Sequence, residues 1–278
     1  MLNMTPFVSV LILLLAVSRV QVTPVPYSGD EQVPYSGEEQ VPYSGDELDE
    51  TQTEDISIHI LTQNNNSAEF LLEGDLLPPK TRNAMKCWHN TCRWPKGQDG
   101  KVSVAYTVSS EFSGNERQLI STALREIESK TCIRFVPHRS ESDYISVENQ
   151  FGCFSSLGKQ GGRQELSLNR RGCVYKGIIQ HEFNHALGFI HEHNRSDRDK
   201  YVRINWDNID QNMAYNFNKA DTDNQDTPYD YNSVMHYGRT AFSKNGGETI
   251  TPLSQANIGQ TSGMSQWDIK RINLFYSC

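Results

Sequence analysis

The sequence predicts an α+β fold of two unequal lobes, preceded by a long segment that builds no core. Three observations carry this. Residues 101–168 alternate strand patterns with one helical pattern, residues beyond 168 read as helices and loops, and the charge balance changes close to residue 82. Residues 1–82 hold 3 Lys/Arg and 13 Asp/Glu, whereas residues 83–278 hold 23 and 21. The net charge of −8 therefore belongs to the front of the chain, and the remainder is close to neutral. With no basic stripe, that remainder is not built for nucleic acid.

The front segment divides into pieces. Phe7 to Val17 reads FVSVLILLLAV, too short to span a bilayer, and Ala16 and Ser18 offer an A-x-S cleavage site. This is a secretion signal ending near residue 18, although no Lys or Arg precedes the apolar run. No second run of this kind follows, so no membrane anchor is expected. Three octapeptides come next: VPYSGDEQ (25–32), VPYSGEEQ (33–40) and VPYSGDEL (41–48). A period of eight rich in Pro, Gly, Ser and acids cannot bury a core and reads as spacer. Asn65 opens the sequon Asn65-Asn66-Ser67, a glycosylation site suited to an exposed stretch. In "LLEGDLLPPKTRNAMKC", Pro78-Pro79 denies helix and sheet and leaves Lys80-Thr81-Arg82 open to a trypsin-like protease. A cut after Arg82 makes Asn83 a new amino terminus and coincides with the charge break.

Beyond that point the periodicities become globular. Val102, Val104 and Tyr106 alternate as one face of a strand. Ile120, Ala123, Leu124 and Ile127 recur at helical spacing, with Ser113 or Asn115 as the cap. Cys132–Val136 and Tyr144–Val147 read as further strands, and Gln164–Leu168 as an edge strand. Trp206–Phe217 is a weaker helical pattern, and Ser265-Gln266-Trp267-Asp268 is a capping box that opens a last helix towards Tyr276. Six cysteines, Cys87, Cys92, Cys132, Cys153, Cys173 and Cys278, suit an oxidising compartment and permit three bridges. Spacing alone leaves 15 pairings open, and the absence of any C-x-x-C pair argues against a cysteine–zinc site.

The chemistry concentrates in "HEFNHALGFIH" (181–191). Tyr175–Leu187 reads as a helix with Ile179, Phe183, Ala186 and Ile190 on a buried stripe. His181 and His185, at i and i+4, project together from the opposite side, with Glu182 at their flank. A third ligand on the same helix would point away. Gly188 resolves this, because a residue without Cβ can take a positive φ, end the helix and return the chain so that His191 reaches the same point. Three neutral imidazoles leave a zinc ion one open position for water, whose pKa falls to about 7. Glu182 is placed to take that water's proton and pass it to a leaving amine.

The spacing H-E-x-x-H-x-x-G-x-x-H resembles the astacin family of metzincin peptidases. The likeness continues through "HEHNRSDRDKY" (191–201) and through "SVMHY" (233–237), and it spans about residues 70–278. The resemblance implies a metzincin zinc peptidase. Its first lobe would carry a mixed sheet with two helices, its second would be smaller and irregular, and the active-site cleft would lie between them. It implies one Zn2+ per chain, Met235 in a Met-turn under the metal, and Tyr237 as a switchable ligand that stabilises the oxyanion. It implies a prosegment aspartate on the zinc, here Asp75 in Leu72-Glu73-Gly74-Asp75, where leucine stands in place of the family's phenylalanine. It implies that the new terminus at Asn83 folds back onto Glu192. The family pairing transfers as Cys132–Cys278 and Cys153–Cys173, with Cys87–Cys92 the extra pair of a six-cysteine group that includes fish hatching enzymes.

The expected organisation is a signal (1–18), a prosegment (19–82) with its switch at 72–75, and a catalytic domain (83–278). The expected function is a secreted, monomeric zinc endopeptidase made as a zymogen, compatible with storage in secretory granules, that acts on egg-envelope protein. The alternative within the class is a relative acting in matrix turnover, defence or peptide processing. A secreted binding protein with structural zinc would need neither Glu182 nor Tyr237. Arg239, two residues past Tyr237, is a candidate for substrate specificity, and the sequon at Asn194 is expected to carry no glycan.

Overall fold

The computed structural model describes residues 55–65, 67–78 and 92–278. The signal, the octapeptides, Arg82, Asn83 and Cys87 lie outside the described residues.

The alternating run at 102–106 becomes β2 (Val102–Val108), with Val102 and Val104 fully buried. It is flanked in parallel by β3 (Ile133–Pro137) and β4 (Tyr144–Glu148), and β4 is followed in parallel by β6 (Arg163–Leu168). β5 (Cys153–Ser156) pairs antiparallel with β6, and the two-residue β1 (Leu76–Leu77) closes the outside of β5 in parallel. The order is β1-β5-β6-β4-β2-β3. β6 is thus an interior strand and not an edge. Its first half is polar, but Gln164 is buried and its amide donates to Gly158 O at 2.9 Å.

Two helices pack on this sheet. α2 (Gly114–Lys130) starts at a Ser113–Glu116 capping box, which settles the choice between Ser113 and Asn115, and buries Ile120, Ala123, Leu124 and Ile127. α3 (Lys176–Ala186) carries the histidine motif. It is not buried on one face only, since every residue from Gly177 to Ala186 is buried. Ile190 lies past the helix end and only partly buried, outside the predicted stripe. Gln180 joins the two helices, donating to Glu126 Oε2 at 2.9 Å and to Ala123 O at 3.3 Å.

Residues from 202 on build a second core around Val202, Ile204, Phe217, Tyr229, Ala241 and Ile250, with only the short antiparallel partners β7 (Val202–Ile204) and β8 (Ile250–Pro252) as strands. The weak helical pattern at Trp206–Phe217 resolves into two 3-10 turns, Trp206–Asn208 and Gln211–Phe217. α4 (Gln266–Phe275) begins at the expected Ser265–Asp268 capping box and returns to the first core through Ile272. Cys132 is bonded to Cys278, which fixes the chain end to the start of β3, and Cys153 to Cys173. Cys92 is also in a disulfide. No helix among the described residues is long and apolar enough to cross a membrane.

The longest element not expected from the sequence is a helix. α1 (Ile56–Asn64), capped by Asp55, inserts Ile56 and Ile60 into the first core and lays Leu61 against the second. The segment 55–78 therefore touches both lobes.

Candidate active site

α3 stops where the sequence required. Gly188 has φ +106°, its N–H donates to His185 O at 2.8 Å, and Phe189 N–H donates to Asn184 O at 3.1 Å, the paired bonds of a Schellman motif. The carbonyls left at the helix end also find donors: Trp94 Nε1 on Ala186 O and the Tyr276 hydroxyl on Leu187 O, each at 2.9 Å. The chain after Gly188 then delivers His191. His185 Nε2 lies 3.1 Å and His191 Nε2 3.3 Å from His181 Nε2, and all three rings are buried.

The outer nitrogens explain why these inner atoms face one another. His181 Nδ1 donates to Val234 O and His185 Nδ1 to Phe189 O, both at 2.7 Å. A carbonyl only accepts, so Nδ1 holds the proton and Nε2 presents a lone pair. Lone pairs converging at such distances repel unless a cation lies among them. Tetrahedral zinc with Zn–N bonds of about 2.0–2.1 Å would set its nitrogen ligands about 3.3–3.4 Å apart, so this donor set fits. Asp75 supplies a fourth donor. Its Oδ2 is 3.0 Å from His181 Nε2 and 3.1 Å from His191 Nε2, and its Oδ1 is 3.4 Å from His185 Nε2. Among the described residues, Asp75, His181, His185 and His191 form the group able to hold a metal.

The approach of Asp75 depends on Gly74. A Cβ there would come within 2.4 Å of Leu61 and 2.9 Å of Phe242, and φ is +85°. Asn64 fixes the same turn to the sheet edge: its amide donates to Gly74 O (2.8 Å) and Cys153 O (2.7 Å), and its oxygen accepts from Cys153 N–H (2.7 Å).

Glu182 is fully buried, and neither carboxylate oxygen has a hydrogen-bond partner. Burial, and then the charge of Asp75, push its carboxyl well above the usual carboxylate range. The Tyr237 hydroxyl is equally buried and unpartnered, and it lies 3.1 Å from where a Gly74 Cβ would stand. Its ring stacks on His193 at 4.1 Å and lies 4.4 Å from His191, centroid to centroid. His193, the fourth histidine of the cluster, is no part of the ligand set. Its Nε2 faces Asn216 O, and burial holds its pKa well below the usual imidazole value.

The turn around Met235 supports the histidines from below. Val234 O holds His181, and Met235 O accepts from Glu192 N–H at 2.9 Å. Asp268, read from the sequence only as a helix cap, also accepts from Ser233 Oγ (2.6 Å) and Val234 N–H (2.9 Å) and so anchors this turn to α4. Glu192 receives two bonds from Arg271, at 2.6 and 2.9 Å, and one from Asp230 N–H at 2.7 Å. Burial nevertheless pushes its carboxyl up to about 7. Its predicted contact with Asn83 falls outside the described residues. Arg239 directs its guanidinium to Glu248 and Ala256 O, within its own lobe. Asn65 is exposed at the end of α1, whereas Asn194 is buried with its amide on Asn216 O and Asn218 O.

Comparison with known proteins agrees with this geometry. Residues 86–277 match the family model of Astacin, a family of peptidases. High choriolytic enzyme 1 of Oryzias latipes is 59% identical over 227 residues, 81% of this chain and 84% of its own. Low choriolytic enzyme of the same fish is 54% identical over 236 residues, covering 84% and 87%. An astacin-like metalloendopeptidase of Gallus gallus is 44% identical over 235 residues, 82% of this chain and 57% of its own. The solved structure of high choriolytic enzyme 1, described as a hatching enzyme zinc-protease, superposes with a TM-score of 0.68 over 70% of this chain and 100% of its own. On the family match, supported by three converging imidazoles beside a buried glutamate, this chain belongs to the astacin family of metalloendopeptidases.

Proposed function

We propose that this chain is a secreted zymogen whose matured form, residues 83–278, cleaves extracellular protein, egg-envelope protein foremost, as a monomer. Residues 1–18 act as the signal, and residues 19–82 as a prosegment removed by a trypsin-like cut after Arg82. The observation that carries this reading is Asp75 at the meeting point of His181, His185 and His191. A peptidase whose metal position is covered by its own carboxylate is latent until that carboxylate leaves. The hatching role takes its support from the choriolytic relatives. The exposed Asn65 supports a glycan on the prosegment.

His181, His185 and His191 would hold zinc, which supplies Lewis-acid polarisation of carbonyl and water when bound. Glu182, buried and free of hydrogen-bond partners, accepts the proton of the attacking water and returns it to the departing nitrogen. Tyr237 donates its hydroxyl to the tetrahedral oxyanion, and its stacking on His193 sets where that hydroxyl can reach. Departure of β1 leaves β5 as the sheet edge, where an extended peptide can add as a strand.

Glu182→Ala in the matured chain tests the assignment. Hydrolysis of denatured protein should fall by roughly 10²–10⁴-fold with zinc content unchanged, because Glu182 is a base and not a ligand. Turnover near the wild-type rate would end it.

A further inference from the structure

A metal-binding imidazole needs a partner at its outer nitrogen to hold its inner lone pair on target. For His181 and His185 that partner is a backbone carbonyl, Val234 O or Phe189 O, in residues that remain after cleavage at Arg82. His191 differs. Its Nδ1 lies 2.8 Å from Glu73 Oε2, a side chain of the prosegment. Its Nε2 lies 3.1 Å from Asp75 Oδ2, two residues further along the same turn. One turn thus grips both nitrogens of a single ring.

The grip is built in. Glu73 is only 6% exposed, and its φ of +50° is a left-handed backbone that residues with a Cβ disfavour. Asp75 alone suffices to cover the metal position, so covering that position does not account for a second buried carboxylate bent onto the far side of His191. Orientation of the third ligand accounts for it.

We propose that Glu73 is a positioning residue for His191, so that the prosegment retains zinc in the latent chain as well as blocking it. The proposal rests on the zinc reading above. It adds that the latent form is the one in which all three ligands are oriented, and that processing removes the outer partner of the third. The mature enzyme is then the weaker holder of its metal.

The test uses the full-length, zinc-loaded chain. Zinc content is counted first, and release to an excess of a chromogenic chelator is then timed for wild type, Glu73→Gln and Glu73→Ala, all of which keep Asp75. Glu73→Ala should release zinc roughly 10–100-fold faster, the usual loss when such an outer partner is removed. Glu73→Gln, whose amide oxygen can still accept from Nδ1, should lie near wild type. Glu73→Ala should lower the melting temperature more in the zinc-loaded than in the metal-free chain, and a cobalt-loaded Glu73→Ala chain should show an altered d–d band. Release from Glu73→Ala at the wild-type rate would overturn the proposal while leaving the zinc reading intact. So would an equal drop in melting temperature with and without metal, the mark of a merely structural role. Wild-type chain that binds no zinc would overturn the underlying reading, and this inference with it.

Discussion

The 176–191 segment and the 55–78 segment meet at the same three imidazoles, but different forces hold them there. α3 is buried from Gly177 on, with Ile178, Ile179, Phe183, Ala186 and Leu187 in the main core and its end bonded by Trp94 and Tyr276. The 55–78 segment also buries apolar side chains, with Ile56 and Ile60 in that core, Leu61 against the second core, and Leu71 and Leu76 buried. It reaches the site through polar contacts: Ser57 Oγ accepting from Gly238 N–H, Asn64 on β5, and Glu73 and Asp75 on the histidines. At the imidazoles themselves the 55–78 segment is held by carboxylates, groups whose partners water can replace. α3 is held by apolar packing that water cannot replace.

That contrast can be broken at two points, and the larger effect belongs to the metal end. Asp75→Ala in the full-length, uncut chain should raise peptide hydrolysis by roughly 10- to 100-fold over the latent background, since it removes the buried charged group facing the ligands. An uncut mutant as inert as wild type would mean that latency lies elsewhere. The smaller effect belongs to the sheet end. Asn64→Ala removes three hydrogen bonds and should weaken docking of the 55–78 segment by about 2–3 kcal/mol, read as a lower melting temperature of the uncut chain. The same mutant after maturation should melt with wild type, because residue 64 is no longer present. A difference that survives maturation would show that Asn64 acts on folding of the catalytic part.

What the sequence made legible follows the same division. The convergence of His181, His185 and His191, the place of Glu182 and the turn at Gly188 depend on spacing within eleven residues, and local geometry alone dictates where those groups point. The strands β2 to β4, α2 and α4 announce themselves by period or by capping boxes. The family resemblance carried Asp75, Met235, Tyr237 and two of the disulfide pairings. α1 escaped because ISIHI alternates like a strand, yet Ile56 and Ile60 are buried one helical turn apart while Ile58 is exposed. β5 escaped because all four residues are buried, so no alternation marks it. Glu73, Asn64 and the second role of Asp268 need partners about 35 to 120 residues away in sequence, and no local pattern can reveal a bond of that kind.

The proposed latency turns on where the metal sits in the uncut chain. Diffraction at the zinc absorption edge from crystals of full-length protein measures this directly. It should place a single anomalous peak bonded to Nε2 of His181, His185 and His191 and to one carboxylate oxygen of Asp75. A peak whose fourth ligand is water, with Asp75 turned away, would contradict it.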